Sequence, residues 1–327
     1  MDGSVRPTRR AGPWHVYTEG DLLYDAMLAD LNAAGRSIRI ESYIIASDAV
    51  GQPFVEALCA AARRGLRVRL RADHAGSYFS LSGQDIDALR QAGVDFQWSR
   101  RWSIRHPLTF NRRNHRKLAI IDDGIAYLGG FNLHAASSLR IHGIARWRDT
   151  HVRLTGKLAV AAAAIFDAAG LGAQLRAATE LTVGAASLVP SSAGPSRHAW
   201  RRALRAAMRR ARARIWVTTP YFVPDRSLRR DLHRAARAGV DVRLLLPAKT
   251  DVALTQWAAR AAYARLLASG VRIFEYTPRV LHSKTIVIDA GWAAIGSANL
   301  DYRSMFVNDE ITLTSSDGKL NRVLSQN

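Results

Sequence analysis

Short runs of alternating hydrophobic and polar residues recur along the chain, separated by longer stretches with helical spacing. Leu66, Val68 and Leu70 alternate with arginine, which is the two-residue period of a strand that buries one face. An alanine-rich stretch ends just before at Gly65, where a helix C-terminus favours glycine. The order of strand, helix, glycine and strand predicts an α/β protein whose helices cover both faces of its sheets.

The same order returns in the second half of the chain, around Gly239. Gly65 and Gly239 are 174 residues apart, and the glycines that end the next predicted helices, Gly93 and Gly270, are 177 apart. An offset this constant over several elements predicts two copies of one α/β unit. Residues 184–196, rich in Ser, Gly, Ala and Pro, have the composition of a linker. We therefore predict an N-terminal domain over residues 1–183 and a C-terminal domain over residues 184–327.

The composition is that of a folded, strongly basic protein. Of 327 residues, 48% are hydrophobic and 23% are charged, which permits a packed core. The single cysteine, Cys59, excludes an internal disulfide framework and a zinc site built from several cysteines. Arginine accounts for 42 of the 47 basic residues, and the formal net charge is +20. This charge indicates an anionic partner, which could be nucleic acid, an anionic membrane or a phosphate-bearing substrate.

No segment is expected to target or anchor the chain. Residues 1–17 lack the apolar region of a secretory signal, and the apolar stretch Leu158–Leu171 falls short of the roughly 20 residues that span a bilayer. We predict a buried or half-buried helix there. Residues 200–214 predict a basic helix that packs on the core, or alternatively one that lies on an anionic bilayer. Residues 99–114 combine arginines with aromatics, which fits either a membrane contact or a solvated loop.

Two copies of one polar motif carry the candidate chemistry. His115–Asp122 and His282–Asp289 both fit the pattern H-x-K-x4-D and begin 167 residues apart. Their lysines, Lys117 and Lys284, are two of only five in the chain. A site that needed only positive charge would be served by the abundant arginine, so the pattern indicates a requirement for a compact ammonium group.

A histidine and a lysine two residues apart on a strand point to the same face. The imidazole can attack phosphorus or transfer a proton, and the ammonium can neutralise a phosphate oxygen. A glycine turn follows each motif and adds backbone N–H groups and the amide of Asn132 or Asn299. Two facing half-sites would supply one histidine as nucleophile and one as general acid. Asp122 and Asp289 end apolar strands before turns, which favours a structural role for them.

Together with several further segments, these motifs resemble the phospholipase D superfamily, and within it the bacterial cardiolipin synthases without membrane-spanning helices. The segments are Glu41–Ile44, Trp147–Arg153, Thr219–Asp225, Gly296–Ser304 and Asn308–Glu310. The resemblance covers nearly the whole chain. It implies an α/β fold of two repeated α/β/α sandwich domains, related by a pseudo-twofold axis, with the active site at their interface. Only 17 residues follow Glu310, where the synthases carry a longer helical region, which suggests a shorter subfamily or a truncated product.

The resemblance also implies a mechanism that needs no metal or organic cofactor. His115 is assigned as the nucleophile that forms a phosphohistidine, and His282 as the acid and base for the alcohols, with the reverse assignment left open. The catalytic set comprises both motifs: His115, Lys117, Asp122, His282, Lys284 and Asp289. Binding of phosphate oxygens is assigned to Asn132, Asn299 and Ser297 beside the lysines, and orientation of the histidines to Asp149 and Glu310.

The implied function is a phosphatidyltransferase of phospholipid biosynthesis. Its expected partner is an anionic phospholipid such as phosphatidylglycerol, at the cytoplasmic surface of a bacterial membrane. A phospholipase D hydrolase, in which water replaces the acceptor alcohol, and a superfamily nuclease are the alternatives. The intact second motif argues against a non-catalytic binding protein, and the duplicated form together with Thr219–Asp225 argues against a nuclease, so nucleic acid is not expected as a partner. The acceptor alcohol and the oligomeric state stay open.

Overall fold

A computed structural model describes residues 14–101, 111–170, 180–192, 196–250 and 253–327. Most of the basic aromatic segment 99–114 lies outside these residues, so both interpretations of it stay open.

The first half of the chain forms a sheet of seven strands. They are β1 (Trp14–Tyr17), β2 (Ser37–Ser42), β3 (Arg67–Asp73), β4 (Asp95–Ser99), β5 (Leu118–Ile121), β6 (Ile125–Gly129) and β7 (His151–Thr155). Their order across the sheet is β1-β7-β6-β5-β2-β3-β4. Strands β2, β3 and β4 are parallel, and the other pairings are antiparallel. All six residues of β2 are buried, as expected of a central strand covered on both faces.

The second half forms a sheet of eight strands and a small sheet of two. The strands are β8 (Leu181–Val183), β9 (Ala186–Ser191), β10 (Arg214–Thr218), β11 (Phe222–Val223), β12 (Asp241–Pro247), β13 (Arg272–Tyr276), β14 (Thr285–Ile288), β15 (Trp292–Gly296), β16 (Leu300–Asp301) and β17 (Glu310–Ser315). The large sheet has the order β13-β12-β10-β14-β15-β17-β9-β8, and β11 pairs with β16. In reverse, from β9 to β13, this order corresponds strand by strand to that of the first sheet from β1 to β4, and β8 is an additional strand beside β9. The predicted α/β repeat is confirmed.

Helices cover the sheets between the strands. They are α1 (Gly20–Asn32), α2 (Gly51–Arg63), α3 (His74–Ser77), α4 (Gly83–Gln91), α5 (Leu139–His142), α6 (Lys157–Gly170), α7 (Ala199–Arg210), α8 (Arg226–Arg237), α9 (Ala253–Leu267), α10 (Tyr302–Phe306) and α11 (Gly318–Gln326). Gly65 and Gly239 follow α2 and α8 with φ of +88° and +84°, a conformation that glycine adopts without strain. Within the described ranges, no helix combines the length and apolarity needed to cross a bilayer.

The predicted apolar helices pack into the core as expected. Helix α6 covers most of the stretch predicted as buried or half-buried, and Leu158 and Phe166 are both almost fully buried. Helix α7 buries Trp200, Leu204 and Met208, so the basic helix packs on the core through one face. Of the two interpretations of that segment, the core-packed helix is the one observed.

Three hydrophobic clusters hold the molecule together. One lies within the first half and one within the second. The third is shared: Leu128 and Leu154 of the first half pack in the same cluster as Ile295 and Leu313 of the second. Apolar burial is the main stabilising contribution in folding, so the shared cluster joins the two sheets into one body.

The start of the second sheet lies close to the predicted linker. Strand β8 pairs with β9, so the large second sheet takes its first strand from Leu181–Val183, just before residue 184. The division of the chain into domains at residue 184 stays a prediction.

In each sheet, the strands have one set of ends that lies at the candidate site. Strands β2 and β6 end where β5 and β7 begin, since Glu41 pairs with Leu118 and Gly129 pairs with His151. In the second sheet, β10 and β15 likewise end where β14 begins. We call these ends of the two sheets the motif edges, because one histidine–lysine motif directly precedes β5 and the other directly precedes β14. The loops that leave the motif edges therefore build the site.

Candidate active site

The two motifs lie beside each other because each is bonded to the other half of the chain. The backbone N–H of His115 donates to the carbonyl of Asp309 at 2.9 Å, and that of His282 donates to the carbonyl of Arg148 at 2.7 Å. Short parallel bridges, Asn114 with Asp309 and Arg148 with Leu281, extend each contact. The residue that follows each of these partners is a carboxylate, which places Glu310 beside His115 and Asp149 beside His282.

Each imidazole is hydrogen-bonded to a carboxylate from the opposite half. His115 Nδ1 lies 3.1 Å from Glu310 Oε2, and His282 Nδ1 lies 2.5 Å from Asp149 Oδ2. All four side chains are buried. A carboxylate that accepts from Nδ1–H leaves the Nε2 lone pair free, which is the tautomer that a nucleophile or base requires. The two carboxylates therefore lie where residues that orient histidines must lie.

The carboxylates are held differently in the two halves. Ser297 and Ser304 donate their hydroxyls to Glu310 at 2.5 and 2.8 Å. Asp149 accepts from the backbone N–H of Thr150 at 2.7 Å, and Gly130 occupies the turn position that Ser297 has in the second half. A Cβ at Gly130 would lie 2.0 Å from Asp149 Oδ1, so only glycine leaves room for this carboxylate.

Both lysines are buried next to their histidines. Lys117 Nζ donates to the carbonyl of His115 at 2.8 Å. Lys284 Nζ donates to the carbonyl of His282 and lies 2.8 Å from its Nδ1 and 3.7 Å from Asp149 Oδ2. Burial lowers the pKa of Lys117 to about 7, because removal from water disfavours the ammonium form.

Burial also keeps the two histidines neutral at pH 7, because removal from water disfavours the charged imidazolium form. Burial lowers the pKa of His115, and the carboxylate of Glu310 only partly offsets this. Burial, followed by the charge of Lys284, lowers the pKa of His282 to about 4. Burial also opposes ionisation of Asp149 and Glu310, but the neighbouring lysines and histidines outweigh it and hold both pKa values below their usual range. The site thus combines neutral imidazoles and ionised carboxylates with a lysine, Lys117, that titrates near neutral pH.

The asparagines and Ser297 also lie at the motif edges. Asn132 Oδ1 accepts from the backbone N–H of Ile44 at 3.1 Å, and its amide nitrogen has no hydrogen bond to the part of the chain that the structure describes. Asn299 is buried, and its Oδ1 has no hydrogen-bond partner among the described residues. The hydroxyl of Ser297 donates to Glu310, so it is bonded within the site.

The structure does not bring Asp122 and Asp289 to the histidines. Asp122 lies at the far end of β5, where its carboxylate accepts from the backbone N–H groups of Gly35, Arg36 and Ser37, each at 2.8 Å. Asp289 binds the N–H groups of residues 212–214 in the same way. These carboxylates fix the loops that lead into β2 and β10.

Aromatic residues that sequence reasoning did not single out surround the histidines. The ring of Tyr43 lies 5.0 Å from that of His115, and the rings of Trp147 and Tyr221 lie 5.3 and 6.4 Å from that of His282. Ser304 was missed as well. All four lie within or directly beside segments that carry the family resemblance, and that placement was the only signal in the sequence.

A duplicated α/β unit with one histidine–lysine motif per copy, both lying where the two halves contact each other, defines the class of phospholipase D-like proteins. The family described as cardiolipin synthase, PLD-like domain, matches residues 27–151 and 204–327. The chain belongs to this family.

Curated relatives agree with this assignment. A cardiolipin synthase of Geobacillus kaustophilus is 34% identical over 93% of this chain, and a probable cardiolipin synthase of Bacillus subtilis is 34% identical over 94%. The chain spans 63% and 64% of their respective lengths.

Two solved structures share the fold at low sequence identity. The phosphatidylserine synthase of Haemophilus influenzae has a TM-score of 0.73 at 13% identity, and the match covers 97% of this chain and 85% of that one. The polyphosphate kinase of Porphyromonas gingivalis has a TM-score of 0.68 at 16% identity, covering 96% of this chain and 46% of that one. The duplicated fold is therefore found in proteins that are named for different activities.

Proposed function

We propose that the chain is a phosphatidyltransferase of cardiolipin synthase type, which moves a phosphatidyl group to an alcohol through a phosphohistidine. The reciprocal site carries the proposal: each histidine is bonded through Nδ1 to a carboxylate of the other half, with a lysine beside it. The family match over both halves and the names of the curated relatives support the same activity.

In the first step, the Nε2 lone pair of His115 attacks the phosphorus of a phospholipid. The P–N bond forms as the bond to the leaving alcohol oxygen breaks, and His282 gives that oxygen a proton. In the second step, the acceptor alcohol gives its proton to His282 while its oxygen attacks phosphorus and releases His115. Lys117 and Lys284 stabilise the charge on the phosphate oxygens throughout.

His282 must carry a proton to act as the acid, although burial and Lys284 oppose this in the free protein. A bound phosphodiester adds a negative charge beside the imidazole. That charge raises the pKa of His282 toward the range in which a general acid works. Substrate binding therefore prepares the acid for the first step.

The amides of Asn132 and Asn299 complete phosphate binding in this proposal. The proton of the Ser297 hydroxyl is committed to Glu310, which supports a role in positioning that carboxylate. We further propose that the protein acts at the cytoplasmic face of the membrane, without spanning it in its described part. The supporting observations are the net charge of +20 and the phospholipid substrate expected from the relatives.

Incubation with phosphatidylglycerol vesicles, followed by lipid analysis, tests the proposal. Cardiolipin and glycerol are expected in equal amounts. Phosphatidic acid alone would indicate a hydrolase, and cleavage of DNA with intact lipid would indicate a nuclease.

The variants His115→Ala and His282→Ala should each lose activity by about a thousandfold or more, because each removes one of the two groups that the mechanism needs. His233→Ala on helix α8 is the matched control and should be unchanged. Substantial turnover by either active-site variant would refute the two-histidine mechanism.

A further inference from the structure

Exposed apolar side chains in the first half gather at its motif edge. Phe79 is 96% exposed and Ile144 is 89% exposed, the highest values among the large hydrophobic residues that the structure describes. Four more such residues lie on the loops or helix starts that leave the same edge. The six are Leu22, Tyr78, Phe79, Leu139, Ile141 and Ile144.

Short chain segments connect two of these residues to neighbours of the histidines. Phe79 follows Ser77, whose hydroxyl donates at 3.0 Å to the carbonyl of Tyr43, the residue that packs on His115. Ile144 precedes Trp147, which packs on His282. Exposed apolar groups of one half therefore lie within two or three residues of a segment that contacts the surroundings of each histidine.

The second half contributes exposed aromatic residues at its own motif edge. Trp257 is 70% exposed near the start of α9, the helix that follows the end of β12. Tyr302 is 58% exposed and lies three residues after Asn299. The remaining exposed large hydrophobic residues, Val160, Leu267 and Phe274, lie on other parts of the sheets and helices.

We propose that the side chains of Phe79, Ile144, Trp257 and Tyr302 form an apolar rim around the candidate active site that inserts into an anionic phospholipid bilayer. This inference rests on the proposed action on phospholipid and specifies the surface that docks. The net charge of +20 draws the protein to an anionic surface, and burial of exposed apolar side chains in the bilayer supplies the short-range part of interfacial binding. Insertion of the rim would bring a phosphodiester at headgroup depth to the histidines.

The single cysteine makes the rim testable by labelling. Cys59 is buried, so a cysteine introduced at the surface reacts selectively with a polarity-sensitive dye. The test uses Phe79→Cys and Ile144→Cys, with Val160→Cys and Leu267→Cys as matched controls. All four carry His115→Ala so that the lipid is not consumed, which makes the result independent of whether the proposed activity is correct. The parent chain is the labelling blank.

With phosphatidylglycerol vesicles, dyes at positions 79 and 144 should shift to the emission of an apolar environment, and the control dyes should not. Phe79→Asp with Ile144→Asp should weaken vesicle binding at least tenfold, because both apolar anchors are lost. Val160→Asp should leave it unchanged, and circular dichroism confirms folding of each variant. Equal shifts at all four positions, or none, would overturn the proposal. A dimer in solution that Phe79→Asp dissociates would assign the surface to a second copy and overturn it as well.

Discussion

At the scale of single residues, the two half-sites are equivalent in plan but different in detail. The first half pairs Gly130 with Asp149, and the second pairs Ser297 with the longer Glu310. The absence of a side chain at residue 130 makes room for Asp149, whereas the hydroxyl of Ser297 binds Glu310. Each turn residue is matched to the carboxylate that it faces.

Gly130→Ala should displace Asp149, because the new Cβ would overlap its carboxylate oxygen. His282 would then lose its orientation, and a misplacement of about 1 Å can lower turnover about a hundredfold. Steady-state lipid transfer measures the loss. Gly83→Ala, where a Cβ meets nothing within 4 Å, is the control. Full activity in Gly130→Ala would show that Asp149 does not orient His282.

The histidines and lysines were predictable because each motif is local and occurs twice. Their neighbours were less so. Ser304 reaches Glu310 within one loop, but Trp147 reaches His282 across the interface between the halves. Sequence spacing says nothing about such an approach, since it arises only when the halves pack together.

At the scale of elements, the motif aspartates mark the far ends of strands β5 and β14. Their place before turns predicted a structural role, and their hydrogen bonds to the backbone agree with it. The strand order was not predictable in the same way, because pairing between distant strands depends on tertiary packing. The repeat nevertheless predicts that the two halves share a strand order, and their large sheets do so apart from the added strand β8.

Asp122→Ala should lower the free energy of unfolding by about 1–2 kcal/mol, because three backbone N–H groups lose their acceptor. Lipid transfer should persist, since the carboxylate lies away from the histidines. Denaturant unfolding measures the change, and Asp87→Ala, an exposed carboxylate on α4, should shift it by less than about 0.5 kcal/mol.

The effect of Asp122 also depends on pH. Burial opposes ionisation of Asp122, but the backbone donors outweigh it and hold its pKa below the usual range. The stabilisation is therefore present at neutral pH and disappears as the pH falls through that lowered pKa. The stabilities of Asp122→Ala and the parent should converge in acid. A difference that persists unchanged there would contradict this origin.

At the scale of the whole molecule, the shared hydrophobic cluster couples the halves. Leu154 and Leu313 belong to one core although they lie in different sheets. Arg112 reinforces the joint through an ion pair to Asp309 at 2.8 Å across the interface. Loss of packing in one half therefore removes support from the other.

Calorimetry should show a single unfolding transition for the full chain. Leu313→Ala should lower its midpoint without splitting it, because the cavity costs about 2–5 kcal/mol in a core that both halves share. Two resolved transitions in the parent protein would show that the halves unfold independently.

The crossed hydrogen bonds also decide what a chimera of two relatives would inherit. His115 and Glu310 are separated by the linker, as are Asp149 and His282. A half taken from another protein would bring its carboxylate together with the turn residue fitted to it. It would then present that unit to a foreign histidine. Exchange of one half therefore keeps each carboxylate with the turn residue that fits it. It replaces one partner in both histidine–carboxylate hydrogen bonds at the same time.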